Sequence, residues 1–448
     1  MNSSYRDIYK LAFLLRNKLN RQVNQQFHRK LKPHSLHKFA ALPLFAAVFV
    51  LQNNYSYAQS ITDIAKGGVQ LISGVEYQQG GENNNRTNTP KFNQIINYGR
   101  NDQAWIYKLR ALAKNRQGKF RIMQIGDSHT AGDYFSDAAR RTLQNALGNG
   151  GIGWFQPNQI KGNRNAQIAF SGWATNNSRF ERGDFPLGGV ITYSAGGGAL
   201  KISPRREEFQ ISELRLIARS DNSQAPLKIS DANGGLYHLV AERNQTSRWH
   251  YFNLQATPPI SIVDSNNAWT LGPISIENRK SGISYSSMGI IGAQINEFDK
   301  WRSAWIEDLN YSNADLVILA FGTNEAYSNG ADVNKISMEW ERLVAMVRKA
   351  LPNAGILIIG APESLKNTQG ECGTRPMHLS QVQMMQEHIA KKNGLLFWSW
   401  QQAMGGKCTM KSWINRGLAG KDGVHFSQAG YEVIGEKLAM AILNFAGN

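Results

Sequence analysis

Ser128 occupies a position that suits a nucleophile. Residues 120–125 predict a short β-strand that Gly126 ends, and residues 132–147 carry apolar side chains at helical spacing. Ser128 therefore lies in a sharp turn between a strand and a helix N-terminus, where the helix amides and dipole stabilise negative charge. Taken alone, Gly126-Asp127-Ser128 is weak evidence, because such a tripeptide could cap any helix.

His425 is the histidine best placed to act as the base for this hydroxyl. It follows Asp422 by three residues, just before the last predicted helix. An aspartate at this spacing can fold back in a turn, accept a hydrogen bond from the imidazole and stabilise the imidazolium, as in a Ser-His-Asp triad. An ordinary surface turn has the same spacing. We expect His129, beside the serine, to shape the turn and not to act as the base.

Two further residues could stabilise an oxyanion. Asn324 follows the continuous apolar run at 316–321, so its side-chain amide would lie at the carboxyl end of a buried strand, where such a donor is useful. Gly292 would offer a backbone N–H that no side chain obstructs. Either residue could instead belong to an ordinary turn.

Taken together and in this order, these fragments resemble the SGNH/GDSL hydrolase family. Ser128 matches the serine of its first block, Gly292 the glycine of the second, Asn324 the asparagine of the third, and Asp422 with His425 the Asp-x-x-His of the last. The first block reads Gly-Asp-Ser-His here, where Gly-Asp-Ser-Leu names the family; this variant occurs among members that act on carbohydrates.

The resemblance implies a role for each of these residues. Ser128, Asp422 and His425 would form the catalytic triad. The N–H groups of Ser128 and Gly292 and the side chain of Asn324 would form the oxyanion hole. Such an esterase needs no metal and no organic cofactor, so neither is expected. The Gly-x-Ser-x-Gly elbow of α/β-hydrolases is absent from the sequence, which argues against that neighbouring fold.

The elements around these residues predict an α/β fold. The apolar runs at 316–321 and 356–359 are typical of parallel strands buried on both faces, and they alternate with helical patterns at 335–351, 379–392 and 428–445. Such alternation predicts a mostly parallel sheet between two helical layers. The resemblance to the SGNH family implies that this sheet is the three-layer, flavodoxin-like one of that family.

A long middle segment has a different texture. Between residues 155 and 281, short alternating apolar runs are separated by clusters of Gly, Asn, Pro and Ser, which predicts an antiparallel sandwich or jelly roll. We therefore expect an all-β domain, similar to a carbohydrate-binding module, inserted into the hydrolase. The predicted organisation is a signal peptide or N-terminal anchor at 1–58, a linker at 59–100, the hydrolase domain at 101–154 and 282–448, and the inserted β-sandwich at 155–281.

Within the SGNH family, the chain most resembles the O-acetyl-peptidoglycan esterases of Gram-negative bacteria. The likeness lies in the Gly-Asp-Ser-His block, in the Gly-Ile-Gly-Trp-Phe stretch at 151–155, and in the β-domain between the first two blocks. This resemblance implies removal of the 6-O-acetyl group of N-acetylmuramic acid through an acetyl-serine. The expected partner is O-acetylated peptidoglycan or a related acylated glycan.

Three other functions are compatible with the same residues. The triad could transfer acetyl groups to wall glycan, because water access and pocket shape decide between hydrolysis and transfer. It could also hydrolyse another carbohydrate or lipid acyl ester. The third is a wall-binding protein in which the triad is not catalytic. The presence of a complete triad argues against it. Gly-x-Gly-x-x-Gly at 148–153 follows a helix and does not open one, so it does not predict dinucleotide binding.

The N-terminus predicts export. Residues 1–38 hold nine bases and one acid, the apolar run at 39–51 is 13 residues long, and Ser56-Tyr57-Ala58 is typical of a cleavage site. An uncleaved anchor is the alternative, and a periplasmic or other extracytoplasmic location is expected in both cases. Without the leader the net charge falls from +17 to +9. That charge would favour an anionic wall or membrane surface, and no motif predicts nucleic-acid binding.

The chain has two cysteines, Cys372 and Cys408. In an exported protein they could form one disulfide, and two buried thiols are equally compatible with the sequence. Neither lies in a cluster with metal-ligand spacing.

Overall fold

The computed structural model describes residues 94–196, 198–205 and 212–447, all within one compact unit that spans Thr87–Asn448. The predicted signal or anchor at 1–58, and the predicted linker up to residue 93, lie outside the described residues. Within the described part, no helix is both long enough and apolar enough to cross a lipid bilayer.

The strands form two sheets, which together account for every strand in the described part of the chain. Their bounds are β1 (Ile96–Asn97), β2 (Lys119–Gly126), β3 (Asn149–Phe155), β4 (Ile168–Ser171), β5 (Ala174–Asn177), β6 (Val190–Tyr193), β7 (Ala199–Pro204), β8 (Ser212–Ser220), β9 (Leu227–Ser230), β10 (Leu236–Leu239), β11 (His250–Ala256), β12 (Ile260–Val263), β13 (Trp269–Asn278), β14 (Gly282–Gly289), β15 (Leu316–Ala320), β16 (Gly355–Gly360) and β17 (Leu396–Ser399).

The larger sheet contains the parallel core that the sequence predicts. It runs in the order β1-β17-β16-β15-β2-β14-β3-β13-β6-β5, with β8 on β13 and β11 on β8. Strands β17, β16, β15, β2, β14 and β3 pair in parallel. Every residue of β15 and β16 is buried, as expected for strands covered on both faces.

Helices cover both faces of this core. Their bounds are α1 (Ala104–Asn115), α2 (Ser128–Ala131), α3 (Tyr134–Leu147), a 3₁₀-helix (Ile295–Lys300), α4 (Trp305–Tyr311), α5 (Thr323–Tyr327), α6 (Val333–Ala350), α7 (Leu379–Lys392), α8 (Trp400–Met404), α9 (Met410–Asn415) and α10 (Gln428–Gly447).

The two helical layers enclose separate apolar cores. On one face, Trp340 and Val347 of α6 pack with Ile389 of α7. On the other face, Phe135 of α3 and Leu438 of α10 pack together with α1. The predicted three-layer fold with a mostly parallel sheet is therefore confirmed.

The middle segment is all-β, as predicted, but it does not stand apart from the hydrolase. The smaller sheet, β10-β9-β12-β7-β4, packs on β8 and β13 around a third apolar core that includes Leu216, Trp269 and Ile262. One layer of this sandwich belongs to the large sheet, because β13 pairs with β3. The exact limits of the insertion, 155–281, remain a prediction.

One correction concerns the predicted linker. Residues 59–100 were expected to have little structure, yet Ile96–Asn97 forms an edge strand that pairs antiparallel with Phe397 and Leu396 of β17. The Asn- and Gly-rich composition of that range is concentrated before residue 94, and Ile95 packs against the apolar core that α1 shares, whereas Ile96 is exposed.

Candidate active site

Three strand ends fix the position of the candidate site. Gly126 at the end of β2 lies in register with Gly289 of β14 on one side and with Ala320 of β15 on the other. Ser128 follows this row by two residues, and Asn324 follows it by four. Because these strands are parallel, their carboxyl ends meet at one edge of the sheet, where ligands bind in open α/β folds.

Helix α2, which begins at Ser128, lies directly on this row. A Cβ built on Gly126 would come within 2.3 Å of Thr130 Oγ1, and one built on Gly289 would come within 2.2 Å of the Ala131 N. Only glycine allows so close an approach. The two glycines therefore let the short helix press its first turn against the strand ends.

The structure brings Ser128 and His425 together across 297 residues of sequence. The Oγ of Ser128 lies 3.0 Å from Nε2 of His425. The other ring nitrogen of His425, Nδ1, lies 2.7 Å from Oδ2 of Asp422. A proton can thus pass from the hydroxyl to the imidazole while a carboxylate holds the opposite side of the ring, which is the arrangement of a nucleophilic triad.

Asp422 is held by the turn that carries His425. Its Oδ1 accepts hydrogen bonds from the backbone N–H groups of Val424 and His425, each at 3.0 Å. Partial burial by itself would raise the pKa of Asp422, but these amides and the His425 side chain outweigh it and hold the pKa below its ordinary value. The carboxylate therefore stays ionised beside the imidazole.

The two predicted oxyanion residues are linked to each other. The side-chain amide of Asn324 donates to the carbonyl of Ala293 at 2.8 Å, next to Gly292. A side-chain amide nitrogen has two N–H groups, so one can hold the loop after Gly292 while the second can donate to another acceptor. Ser128 is the first residue of α2, so its backbone N–H has no intrahelical acceptor. The three donors are thus carried by neighbouring strand ends.

His129 is buried and does not replace His425. Its Nδ1 lies 2.9 Å from the hydroxyl of Tyr431, and its ring packs against those of Trp400 and His425, with centroids 5.3 and 5.5 Å away. Burial lowers the pKa of His129 to about 3, with a further lowering from His425. A neutral, buried ring suits a residue that supports the base.

Two buried carboxyls lie beneath the site. Asp127 accepts from the His129 N–H at 3.0 Å, and burial raises the pKa of Asp127 to about 8. Glu325, next to Asn324, accepts from the Ile295 N–H at 2.6 Å, and burial raises its pKa to about 7. Glu325 thus joins α5 to the segment that follows Gly292.

The sequence interpretation missed the contributions of Glu325 and Tyr431. Glu325 lies in the Gly-Thr-Asn-Glu motif directly after a buried strand, so the sequence pattern could have predicted that it is buried. The Tyr431–His129 contact spans 302 residues and had no local signal. Within the described residues, no group of three or more His, Cys, Asp or Glu side chains is arranged to hold a metal ion.

Two family models match the chain. Residues 150–261 match the model described as peptidoglycan O-acetylesterase, N-terminal, and residues 265–433 match the GDSL-like lipase/acylhydrolase family. Gly292, Asn324, Asp422 and His425 fall within the second range, whereas Ser128 lies before both. The predicted SGNH/GDSL resemblance is confirmed by these matches. A search of curated proteins found no match.

Several solved structures are similar to this chain. A structure described as "Peptidoglycan O-acetylesterase in action, 5 min" is 42% identical, with a TM-score of 0.74, and the match covers 79% of this chain and 99% of that one. An acetyl xylan esterase is 16% identical over 36% of this chain and 81% of its own, at a TM-score of 0.30. A family two carbohydrate esterase from Clostridium thermocellum, in complex with cellohexaose, is 13% identical over 62% and 99%, at 0.28.

Proposed function

We propose that this chain, which belongs to the peptidoglycan O-acetylesterases with a GDSL-like hydrolase domain, removes O-acetyl groups from peptidoglycan through an acetyl-serine intermediate. The 6-O-acetyl group of N-acetylmuramic acid is the specific ester we expect. The observation that carries the proposal is the unbroken chain of contacts from Ser128 through His425 to Asp422.

The geometry supports a two-step reaction. Nε2 of His425 removes the proton from Ser128 Oγ as the oxygen attacks the acetyl carbonyl. The carbonyl oxygen becomes negative and is met by the N–H groups of Ser128 and Gly292 and by the second N–H of Asn324. His425 then returns the proton to the departing sugar oxygen. Water, activated by the same imidazole, releases acetate and restores the serine.

Asp422 acts on the imidazole and not on the substrate. By accepting from Nδ1–H it keeps the proton on that nitrogen, so that Nε2 is free to take the serine proton. Its low pKa follows from the amides of Val424 and His425. The negative charge it retains stabilises the imidazolium that forms during each step.

Acetate release from O-acetylated peptidoglycan by the wild type and by Ser128→Ala tests this function. We expect turnover to fall on the order of 10⁶-fold in the variant, as in other serine triads. Ser303→Ala is the matched control, because Ser303 is exposed and lies outside the site. Unchanged acetate release by Ser128→Ala would show that the triad does not take part in the reaction.

Transfer to a second glycan is the main competing reaction. The same experiment, repeated with an added unacetylated glycan, separates the two: a hydrolase releases acetate at the same rate, whereas a transferase moves acetyl to the acceptor. Acetate release without any acceptor supports hydrolysis.

We also propose that the protein acts outside the cytoplasm. The support is the basic leader, the apolar run at 39–51 and the Ser56-Tyr57-Ala58 sequence, together with a substrate that lies in the cell wall. Association with the wall or membrane surface would follow from the remaining charge of +9. N-terminal sequencing of the exported protein tests the leader: a start at Gln59 indicates cleavage, and an intact N-terminus indicates an anchor.

A further inference from the structure

An arginine from the middle β-segment reaches the predicted oxyanion glycine. The connection between β5 and β6 carries Arg179, and Gly292 has a φ of +69°. A Cβ built on Gly292 would lie 3.3 Å from Nε and 3.4 Å from Nη2 of Arg179. The guanidinium therefore covers the space in which a side chain at residue 292 would lie.

The backbone beside Arg179 is fixed to the hydrolase. Ser178 is buried; its Oγ donates to Oε1 of Glu297 at 2.7 Å and accepts from Nε1 of Trp301 at 3.2 Å. The Ser178 N–H also bonds to the carbonyl of Gly189 at 2.9 Å. Both Glu297 and Trp301 lie shortly after Gly292. The connection between β5 and β6 is therefore bonded, through Ser178, to the segment that follows Gly292.

The guanidinium has no acidic partner in the described part of the chain. The nearby carboxylate of Glu181 accepts instead from the side chain of Asn176, and the Arg179 backbone N–H is held by Asn177. Phe180 beside it is 81% exposed, and Ile291 beside Gly292 is 39% exposed. Among the described residues, the surface formed by Arg179, Phe180 and Ile291 therefore presents a guanidinium without an acidic partner next to exposed apolar side chains.

We propose that Arg179 binds a carboxylate of the acetylated glycan and so favours carboxylate-bearing substrates over neutral acetylated sugars. This inference rests on the proposed function. Attack at Ser128 places the acetyl group in the oxyanion hole, so a group beside Gly292 meets what lies next to the ester. Peptidoglycan supplies carboxylates there in two forms, a free lactyl group or the peptide stem. A guanidinium fork fits either one with paired hydrogen bonds.

The test compares one glycan with and without its charge. O-acetylated muropeptides are used as such and after conversion of their carboxylates to methylamides, and kcat and KM are measured for both. In the wild type we expect a higher kcat/KM for the charged form. In Arg179→Gln the ratio of the two values should fall roughly 10- to 100-fold, the worth of a hydrogen bond to a charged group, mainly through KM. Arg179→Lys should recover part of it.

Arg182→Gln is the matched control. Arg182 is exposed in the same connection, and its loss removes the same charge without touching Gly292, so the ratio should stay within about twofold of the wild type, as expected for a screened surface charge. O-acetylated glycan without peptide stems distinguishes the two sources: dependence on Arg179 in that substrate identifies the lactyl carboxylate, and dependence only in muropeptides identifies the stem.

Two results would overturn the inference. An equal loss on charged and neutralised substrates in Arg179→Gln would assign the arginine to the oxyanion hole or to loop structure. An equal fall of the ratio in Arg182→Gln would assign the preference to general surface charge. Neither result is confused with failure of the proposed function, in which the wild type itself releases no acetate from either substrate.

Discussion

At the scale of single residues, the candidate site depends on three carboxyls in two different environments. Asp422 is half exposed and kept ionised by backbone amides and His425. Asp127 and Glu325 are buried, and burial raises the pKa of each. The exposed carboxylate supports the base, whereas the buried ones hold backbone segments: Asp127 holds α2 at His129, and Glu325 holds the loop at Ile295.

Glu325 makes a prediction about stability and pH. Its pKa is about 7 in the fold against an ordinary 4.5, so between these values the folded protein holds a proton that the unfolded chain has lost. Unfolding free energy therefore falls as the pH rises from about 4.5 to 7, by a few kcal/mol, and levels off above that. The glutamine in the Glu325→Gln variant cannot ionise. The fall in unfolding free energy between about pH 4.5 and 7 that Glu325 causes should therefore be absent from this variant.

Denaturant unfolding of the wild type and Glu325→Gln at several pH values between 4.5 and 8 measures the effect. The informative quantity is the difference between the two proteins as a function of pH, which cancels the titration of all other groups. A difference that does not change with pH would mean that Glu325 is ionised in the folded state throughout.

The sequence singled out the predicted site residues better than the residues that contact them. Ser128, Asn324 and the Asp422–His425 pair stand out because each follows a strand or precedes a helix in a motif with a chemical meaning. The structure brings Ser128, His425 and Asp422 into contact and places Asn324 after the neighbouring strand. Arg179 and Tyr431 had no such signal. Their importance depends on tertiary contacts with Gly292 and His129, which no local pattern encodes.

At the scale of elements, composition concealed one strand, β3, that pairs within the large sheet. Strand β3 contains three glycines, Gly150, Gly151 and Gly153, and glycine is unfavourable in strands. A Cβ on Gly150 would lie 2.9 Å from the Gly282 carbonyl oxygen, and one on Gly151 would lie 2.5 Å from the Glu277 Cα. The close approach of the neighbouring strands therefore requires glycine at these positions, and the same glycines make the sequence of β3 resemble that of a loop. The apolar strands β15 and β16, by contrast, were evident.

The disulfide closes a loop next to the segment that supports the candidate site. Cys372 and Cys408 are joined across 36 residues, which decides between the two alternatives left open by the sequence. Leu365 lies just before the bridged loop; its N–H donates to the Gly423 carbonyl at 2.8 Å, and its carbonyl accepts from the hydroxyl of Tyr327. Thr374, inside the bridged loop, exchanges backbone hydrogen bonds with Lys366 and Asn367. The closed loop thus contacts the segment on which the Asp422 turn rests.

Loss of this bridge should reduce stability more than activity. For a loop of this length, the chain-entropy model gives about 4 kcal/mol of unfolding free energy, which we expect as an upper limit for Cys372→Ala/Cys408→Ala. The Leu365–Gly423 bonds remain, so kcat should change much less. Denaturant unfolding checks the prediction, with the reduced wild type as control. A change below about 1 kcal/mol would contradict it.

At the scale of the whole molecule, the middle all-β segment (the β-segment, β4–β13) and the hydrolase share one sheet, because β13 pairs with β3. The sequence predicted an all-β domain inserted into the hydrolase, because the pattern along the chain reveals a change of element type but not which strands pair. The shared sheet explains how a connection between β5 and β6 can hold Arg179 at a fixed place beside Gly292.

Glu277 joins the two parts most directly. It lies on β13 and is 1% exposed, and its carboxylate contacts Arg121 of β2 at 2.9 Å and Arg215 of β8 at 3.1 Å. Lys119 of β2 lies 3.2 Å away, and the Ser284 hydroxyl of β14 donates at 3.0 Å. Burial by itself would raise the pKa of Glu277, but the arginines and the lysine outweigh it and lower the pKa.

Glu277→Gln should therefore destabilise both parts at once. Gln keeps the size of the side chain but leaves the charges of Arg121 and Arg215 without their closest counter-ion, at a cost of up to roughly 3–5 kcal/mol. Because the folded-state pKa is depressed, the stabilisation is present above the ordinary pKa of a glutamate and is lost as the pH falls below it. The difference between wild type and variant should thus shrink in acid.

Hydrogen exchange locates the effect. If one cooperative unit spans the shared sheet, peptides from β2 and from β8 should both lose protection in Glu277→Gln, and by similar free energies. Asp299→Asn is the control, since its ion pair with Arg342 is about half exposed and should be worth less than about 1 kcal/mol. Faster exchange confined to β8 and β11 would show that the β-segment opens independently, and the fixed placement of Arg179 would then hold only while that segment stays folded.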